Sequence, residues 1–224
     1  MADATSVDVG GHTVRLTNLT KVLYPEVGYA KADVIGYYAS VAHAMLPHIE
    51  RRALTFTRWP NGVDGSSFFE KNRPNHAPDF IGVADAPGRV RSSVIADAAG
   101  LVWAGNQAAL EIHVPMAMAV DLDTPTAVVF DLDPGSPADL TDCAQIALAL
   151  GEVLASVRLE AFPKTSGSKG MQVYVPVHGS APTHEHASSF ALAVGQLLTR
   201  QHPDRVLVEM AKAKRPGKVF VDWS

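Results

Sequence analysis

Hydrophobic and polar residues alternate near the N-terminus, on both sides of the pair Gly10-Gly11. Alternation with a period of two is typical of half-buried strands, and a Gly-Gly pair between two such runs predicts a hairpin. From Lys31 to about Leu46 the apolar spacing lengthens to that of an amphipathic helix. The apolar residues of this helix are Val34, Tyr37, Tyr38, Val41 and Met45.

Shorter apolar runs in the rest of the chain predict strands. These runs are Ala53–Arg58, Glu111–Val114, Leu159–Pro163, Met171–Val177, Arg205–Val208 and Lys218–Asp222. Two more stretches have helical spacing: one with Ser136 as its N-cap and Pro137 as its first residue, and one from about Glu185 to Arg200. Because strands and helices mix without strict alternation, the pattern predicts an α+β fold and not a doubly wound sheet.

The segment AVVFDLDPGSP, residues 127–137, carries the strongest chemical signal. Its apolar run leads to Asp131 and Asp133, which point to the same side if the run is a strand. Two carboxylates on one face repel each other, and carboxylate oxygens suit Mg²⁺ or Mn²⁺. The segment therefore favours a metal site over a solvated Asp-Pro-Gly turn. It leaves two enzyme classes open, a phosphatase and a nucleotide polymerase.

The segment KTSGSKG, residues 164–170, lies between two apolar runs. Its small residues let backbone N–H groups turn toward an anion, and Lys169 adds a positive charge. The Walker pattern GxxxxGK[ST] is absent, and a plain hairpin loop is the alternative interpretation. Close to a metal site, such a loop would suit a nucleoside triphosphate.

Two further residues extend this site. Asp222 ends a strand-like run and could complete a two-metal site with Asp131 and Asp133. His113 shares a predicted strand face with Glu111, and a hydrogen-bonded core histidine is the alternative for it.

Aromatic and basic residues indicate where a nucleic acid could bind. Because neighbouring strand residues point to opposite faces, we expect one of Phe68 and Phe69 in the core and the other on a platform that stacks a base. Lys21 and Lys31 bracket a loop and could hold a terminal phosphate. Scattered surface lysines are the alternative.

Composition changes this picture in a few respects. The net charge of −4 argues against a uniformly basic nucleic-acid coat protein, although residues 211–218 form a basic strip without an acid, with Lys212, Lys214, Arg215 and Lys218. Cys143 is the single cysteine, which excludes an intramolecular disulfide and fits a reducing cytoplasm. The sequence predicts neither a signal peptide nor a membrane span.

Several of these stretches, taken in order, resemble the polymerase domain of bacterial DNA ligase D, of the archaeo-eukaryotic primase superfamily. The stretches are LTNLTKVLYP, RWPNGV, FFEK, ALEIHVP, VFDLDPG, KTSGSKG and RPGKVFVDWS. The resemblance runs from about Leu16 to the last residue and implies one primase-polymerase domain over residues 1–224. It also implies mixed and antiparallel sheets flanked by helices, with an active site in a cleft between two subdomains.

The resemblance implies a role for each matching residue. Asp131, Asp133 and Asp222 match catalytic acids that hold Mn²⁺ or Mg²⁺ in a two-metal site. Residues that match contacts to the incoming nucleotide are His113, Ser166, Ser168, Lys169, Gln172, Lys212 and Arg215. Lys21 and Lys31 match lysines that hold the 5′-phosphate of a DNA end, and Phe68 and Phe69 match aromatic residues that stack near the template.

The implied activity is that of a nucleotidyltransferase in non-homologous end joining. Such enzymes add nucleotides, preferably ribonucleotides, to 3′ ends at gaps and double-strand breaks. The implied partners are gapped or broken DNA with a 5′-phosphate, NTPs or dNTPs, the Ku protein and a DNA ligase. The implied location is the bacterial cytoplasm, at the nucleoid.

The sequence departs from the family pattern in two places. Gln172 stands where the family has a histidine, and glutamine cannot carry a charge or exchange a proton. Family members also continue beyond the third acid, so we expect this chain to lack the family's C-terminal segment.

Two other functions stay open at this point. A haloacid dehalogenase-type phosphatase would also carry Asp-x-Asp, but Gly135 stands where those enzymes usually have Thr or Val. A DNA-end binding module without turnover would fit Gln172 and the short C-terminus, whereas three acids without a cation would be costly for it.

Overall fold

The protein, a computed structural model, is described over residues 4–177 and 182–223 and divides into two compact units, Met1–Leu122 and Asp123–Ser224. Each unit contains its own cluster of buried hydrophobic side chains. In the described ranges, no helix has the length and apolar character that crossing a membrane requires.

The first unit combines short antiparallel sheets with two helices. Its elements are β1 (Ala4–Val9), β2 (His12–Thr17), β3 (Val22–Tyr24), β4 (Tyr29–Ala30), α1 (Lys31–Ile49), β5 (Thr55–Arg58), β6 (Phe68–Glu70), β7 (Gly82–Ala86), β8 (Val90–Val94), α2 (Ala98–Asn106), β9 (Ala109–His113) and β10 (Ala117–Met118). The pairs β1–β2, β3–β4 and β7–β8 are two-stranded, and β6, β5 and β9 form a three-stranded sheet in that order.

The predicted hairpin and the first predicted helix are confirmed. β1 pairs with β2 across Gly10-Gly11, with Val9 opposite His12. The helix α1 packs on α2 through a buried face that includes Tyr38, whose hydroxyl donates a hydrogen bond to the carbonyl of Ala109 at 2.6 Å. Gly105 permits this close packing, because a Cβ there would lie 2.9 Å from the Tyr38 ring.

The second unit is built on a five-stranded sheet. Its elements, reached through β11 (Asp121–Pro125), are β12 (Ala127–Pro134), α3 (Leu140–Ser156), β13 (Phe162–Thr165), β14 (Met171–Pro176), α4 (His184–Gln201), β15 (Val206–Leu207) and β16 (Val219–Asp222). The strand order is β13-β14-β12-β16-β15, and every pair is antiparallel except β15–β16. The α+β prediction is confirmed.

The strand β12 is central in this sheet and alternates strictly between buried and half-buried residues. Val128, Phe130 and Leu132 are buried in one cluster with residues of α3 and α4. Burial of such a side chain contributes about 1.5–3 kcal/mol, so β12 is anchored from the helix side. Its other face carries Asp131 and Asp133.

The predicted start of α3 is wrong. The helix begins at Leu140, and its N-cap is Asp139, whose carboxylate accepts hydrogen bonds from the N–H groups of Thr141 and Asp142. The Asp142 carboxylate accepts from the Asp139 N–H in return, which completes a reciprocal cap. Ser136 lies in the turn after β12, where its carbonyl accepts a hydrogen bond from Gly217.

Candidate active site

The three predicted metal-binding acids lie on the face of the five-stranded sheet that points away from α3 and α4. Asp131 on β12 is directly opposite Asp222 on β16, and Asp133 is opposite Phe220. Residues directly opposite each other on paired strands lie on the same face. The structure therefore places Asp222, which is distant in sequence, on the same face as Asp131 and Asp133.

These carboxylates interact electrostatically. The pKa of Asp131 is raised, first by burial and then by the negative charges of Asp133 and Asp222. A hydrogen bond from Gln172 and the positive charge of Lys164 act in the opposite direction without cancelling the effect. A cation bound near Asp131 would remove the repulsion, because each ionised carboxylate would then face an opposite charge.

The donor set fits a hard divalent ion, since all three side chains offer carboxylate oxygens. Within residues 4–177 and 182–223, however, no three or more His, Cys, Asp or Glu side chains converge closely enough to hold an ion. What supports a metal assignment is therefore the shared face, the cross-strand register and the raised pKa of Asp131.

Gln172 and Tyr174 adjoin these acids from β14. Gln172 is directly opposite Asp131, and hydrogen bonding from the Gln172 side chain opposes the rise in the pKa of Asp131. The Tyr174 hydroxyl donates to the Gln172 side-chain oxygen Oε1 at 3.1 Å. Tyr174 and Gln172 thus form a hydrogen-bonded pair beside Asp131.

The predicted phosphate loop, residues 166–170, connects β13 to β14 and is held closed by Ser166. The Ser166 hydroxyl accepts hydrogen bonds from the N–H groups of Ser168 at 3.4 Å and Gly170 at 3.2 Å, and donates to the Gly170 carbonyl at 3.0 Å. Lys169 is exposed, and its amine donates to the Pro134 carbonyl at 3.3 Å, which ties the loop to the end of β12.

Two glycines allow the chain to pass closely beside the acid strand. A Cβ at Gly135 would lie 2.1 Å from the Arg215 carbonyl oxygen, and one at Gly170 would lie 2.4 Å from the Leu132 carbonyl oxygen. Both neighbours are backbone atoms, which cannot move aside as the end of a flexible side chain can. These positions bring the 166–170 loop and the basic strip against the strand that carries Asp131 and Asp133.

The basic strip is mostly engaged with the protein itself. Lys214 forms an ion pair with Glu209, and Lys218 donates to the Pro203 carbonyl at 2.7 Å. The Arg215 guanidinium lies 3.7 Å from the centroid of the Phe220 ring and donates to the Met210 carbonyl. Arg215 is therefore fixed on the residue opposite Asp133, whereas Lys212 is exposed.

In the first unit, His113 lies at the end of β9 on a polar face of the three-stranded sheet. Its Nε2 is 2.7 Å from Thr57 Oγ1 and 3.3 Å from a Glu111 carboxylate oxygen. The predicted shared face of Glu111 and His113 is confirmed. The alternative of a core histidine is wrong, because the side chain is 46% exposed.

Both phenylalanines of β6 are exposed, Phe68 by 45% and Phe69 by 62%. The expectation that one of them is core is wrong, because β6 is the edge strand of a small sheet. Phe69 contacts the His113 ring, with centroids 5.3 Å apart. Phe68 packs on the guanidinium of Arg58, at 5.3 Å from its ring centroid.

Lys21 and Lys31 are brought together by the β3–β4 hairpin, because the Lys31 N–H donates to the Lys21 carbonyl at 2.8 Å. The Lys21 amine donates to the Asn61 side chain, whereas Lys31 is only 6% exposed. The pKa of Lys31 is lowered by burial and then by the positive charges of Lys21 and Arg58. These lysines are therefore not scattered surface residues.

Sequence reasoning missed the side chains that support the site. Tyr174 lies two residues after Gln172, so the period of a strand places both on one face. Lys164 is opposite Gln172 across the β13–β14 hairpin. Arg58 forms a half-buried ion pair with Glu70 at 2.7 Å. The two residues are 12 positions apart in the sequence, and no pattern there indicates that they pair.

Comparison with known proteins identifies the family. The model of the LigD primase-polymerase domain matches residues 30–224. The chain therefore belongs to the LigD primase-polymerase family. Of the two enzyme classes left open by Asp-x-Asp, this assignment favours the polymerase.

Individual relatives agree. The multifunctional non-homologous end joining protein LigD of Mycolicibacterium smegmatis is 42% identical over 94% of this chain, and the bifunctional protein LigD of Bacillus subtilis is 34% identical over 94%. The chain spans 28% and 34% of their lengths. The solved polymerase domain of Mycobacterium tuberculosis ligase D in complex with DNA superposes with a TM-score of 0.88, at 42% identity over 94% of this chain and 77% of that one. The predicted primase-polymerase type of fold is thereby confirmed.

Proposed function

We propose that this chain transfers nucleotides to DNA 3′ ends during double-strand break repair. The single observation that carries the proposal is the register of β12 and β16, which places Asp131 directly opposite Asp222 and Asp133 on the same face. Three acids on one face are suited to holding the ions of a nucleotidyl-transfer site. Family membership supports the reaction class, and the family's polymerase domains are metal-dependent.

Asp131, Asp133 and Asp222 would hold Mg²⁺ or Mn²⁺. Such ions, when bound, lower the pKa of the attacking 3′-hydroxyl and balance the charge on the triphosphate. Lys169, which is tied to the end of β12, and Arg215, which is fixed on Phe220, would offset the charge of the phosphates. Ser166, Ser168, Gln172, Lys212 and His113 remain proposed contacts of the incoming nucleotide.

The first unit would bind the DNA end. Lys31 is a buried cation beside Lys21, so an anion such as a 5′-phosphate would relieve the repulsion between their charges. Phe68, which packs on Arg58, and Phe69, which contacts His113, are exposed on opposite faces of β6, so each is suited to stack on a template base. The solved relative in complex with DNA supports a DNA substrate.

The remaining features follow from the family. We propose that both units form one primase-polymerase domain, since the family match extends across both of them. The substrates would be gapped or broken DNA and NTPs, with ribonucleotides preferred over dNTPs. Ku and a DNA ligase are the proposed partners, and the bacterial cytoplasm at the nucleoid is the proposed location.

A primer-extension assay tests this function. The chain is incubated with a 5′-phosphorylated gapped duplex, a labelled primer, Mn²⁺ or Mg²⁺ and each NTP or dNTP. Extension by the wild type that is lost in Asp131→Ala supports the proposal. DNA binding without extension under all of these conditions would instead identify an end-binding module, and release of phosphate from small phosphoesters would identify a phosphatase.

A further inference from the structure

We propose that Gln172 and Tyr174 are a positioning pair for Asp131, which together fix the direction in which the Asp131 carboxylate faces a divalent cation. The inference rests on the proposed function, because it takes Asp131 to be a metal ligand. It adds two residues that do not themselves ligate the ion.

The register of the sheet places the pair. On β14, Gln172 is directly opposite Asp131, and Tyr174 is directly opposite Val129. Tyr174 is also opposite Phe162 on β13. Its hydroxyl lies 3.1 Å from the Gln172 oxygen Oε1.

The hydrogen bonds determine which way the Gln172 amide points. The Tyr174 hydroxyl donates to the amide oxygen of Gln172, so that oxygen faces Tyr174. The Gln172 NH₂ group is then left for Asp131, which is directly opposite and, when ionised, only accepts hydrogen bonds. The reverse orientation would set the amide oxygen against the Asp131 carboxylate, where neither group can donate.

Tyr174 keeps its role as donor at neutral pH. Its pKa is raised by burial and then by the negative charge of Asp131, so the phenol stays protonated. The Tyr174 hydroxyl therefore orients the Gln172 amide, and the amide in turn holds one side of the Asp131 carboxylate.

A carboxylate held in this way loses less rotational freedom when it binds a cation. Hydrogen-bonding partners behind metal ligands typically change metal affinity by about 10–100-fold. Lys164, which is also opposite Gln172, does not share this role, because its amine donates to the Thr165 carbonyl at 3.1 Å and acts on Asp131 through charge alone.

Titration with Mn²⁺ alone, followed by electron paramagnetic resonance of the free ion, tests the pair without DNA or nucleotide. We expect about 10-fold weaker Mn²⁺ binding in Gln172→Ala and about 3-fold weaker binding in Tyr174→Phe, which removes one neutral hydrogen bond. The double variant should bind no more weakly than Gln172→Ala, because Tyr174 acts through Gln172. Gln172→His should keep an affinity close to that of the wild type, since one ring nitrogen can donate to Asp131 while the other accepts from Tyr174.

Controls separate this inference from the proposed function. Gln201→Ala, at the exposed end of α4, and Tyr37→Phe, on the exposed side of α1, should bind Mn²⁺ as the wild type does. If Asp131→Ala leaves Mn²⁺ affinity unchanged, the metal site itself is wrong. If Asp131→Ala weakens binding but Gln172→Ala and Tyr174→Phe do not, or if their effects add in the double variant, the positioning pair is wrong while the metal site stands.

Discussion

The carboxylates of the three-stranded sheet in the first unit and those of the five-stranded sheet in the second have different neighbours. In the first, carboxylates lie beside cationic or protonatable partners: Glu70 pairs with Arg58, and Glu111 lies 3.3 Å from His113. In the second, Asp131 faces another acid, Asp222, and its pKa is raised. The negative charges named here have partners in the three-stranded sheet, whereas those of the five-stranded sheet are only partly offset by Gln172 and Lys164.

The difference indicates what each sheet is suited to bind. In the three-stranded sheet, each face pairs its carboxylate with a cationic or protonatable partner and carries one exposed phenylalanine, which favours stacking on an extended ligand. A face on which carboxylates repel each other favours a cation. Catalysis and DNA binding should therefore be separable by mutation, one in each unit.

The largest expected effect comes from Asp222→Asn in the five-stranded sheet. The substitution keeps the shape of the side chain but removes one negative charge from the acid face. Primer extension should fall on the order of 100-fold or more, whereas binding to a 5′-phosphorylated DNA end, measured by fluorescence anisotropy, should be unchanged. Equal loss of both activities would contradict the proposed division between the sheets.

The reverse separation is expected for Lys31→Met, which keeps most of the buried stem and removes the charge. The preference for a 5′-phosphorylated over a 5′-hydroxyl DNA end should fall about 10-fold, because a charged hydrogen bond to phosphate is lost. Competition binding with the two ends measures this ratio. Lys71→Met, at an exposed lysine, is the matched control and should keep the preference.

A smaller effect is expected for Phe69→Ala. Loss of one stacking platform should weaken binding to a DNA with a single-stranded template overhang by about 5-fold, the lower end of the range for a stacked base. Because the side chain is 62% exposed, the melting temperature should change little. Affinity that stays at the wild-type level in both Phe69→Ala and Phe68→Ala would remove the stacking role, and Tyr37→Ala serves as an exposed aromatic control.

The smallest expected effect is a gain in stability for Asp131→Asn. Folding raises the pKa of Asp131, so the folded chain binds this proton more tightly than the unfolded chain does. Stability therefore falls as pH rises between the ordinary and the raised pKa, and asparagine avoids that loss. In metal-free buffer the variant should melt at a higher temperature than wild type at neutral pH, with the difference shrinking at acidic pH, where Asp131 is protonated. A lower melting temperature at neutral pH would contradict this.

The sequence predicted the elements well where one local pattern dominates. The period-two alternation of β12 placed Asp131 and Asp133 on one face, and Leu132 between them is buried on the other. The start of α3 was misplaced, because Asp139 forms a reciprocal cap with Asp142 that outweighs a Ser-Pro signal. The exposure of both phenylalanines of β6 was missed, since a sequence pattern does not show that a strand is at an edge.

The position of Asp222 at a strand end suggested the third acid, and the resemblance strengthened that prediction. No local pattern links Asp222 to Asp131, however; the β12–β16 pairing does. The same holds for Lys31, whose burial depends on how the hairpin after Lys21 folds back. Tyr174 is different, since its spacing from Gln172 was visible in the sequence. Its role was not, because that requires the cross-strand register with Asp131.

The alternation of β12 has a consequence for how this segment can evolve. Its eight residues encode the hydrophobic core and the acid face in the same stretch of gene. A point mutation changes one face at a time, so packing and chemistry can be selected separately. Insertion or deletion of a single codon exchanges the faces, sending carboxylates into the core and Leu132 to the surface. Residue substitutions in β12 should therefore be tolerated far more often than changes in its length.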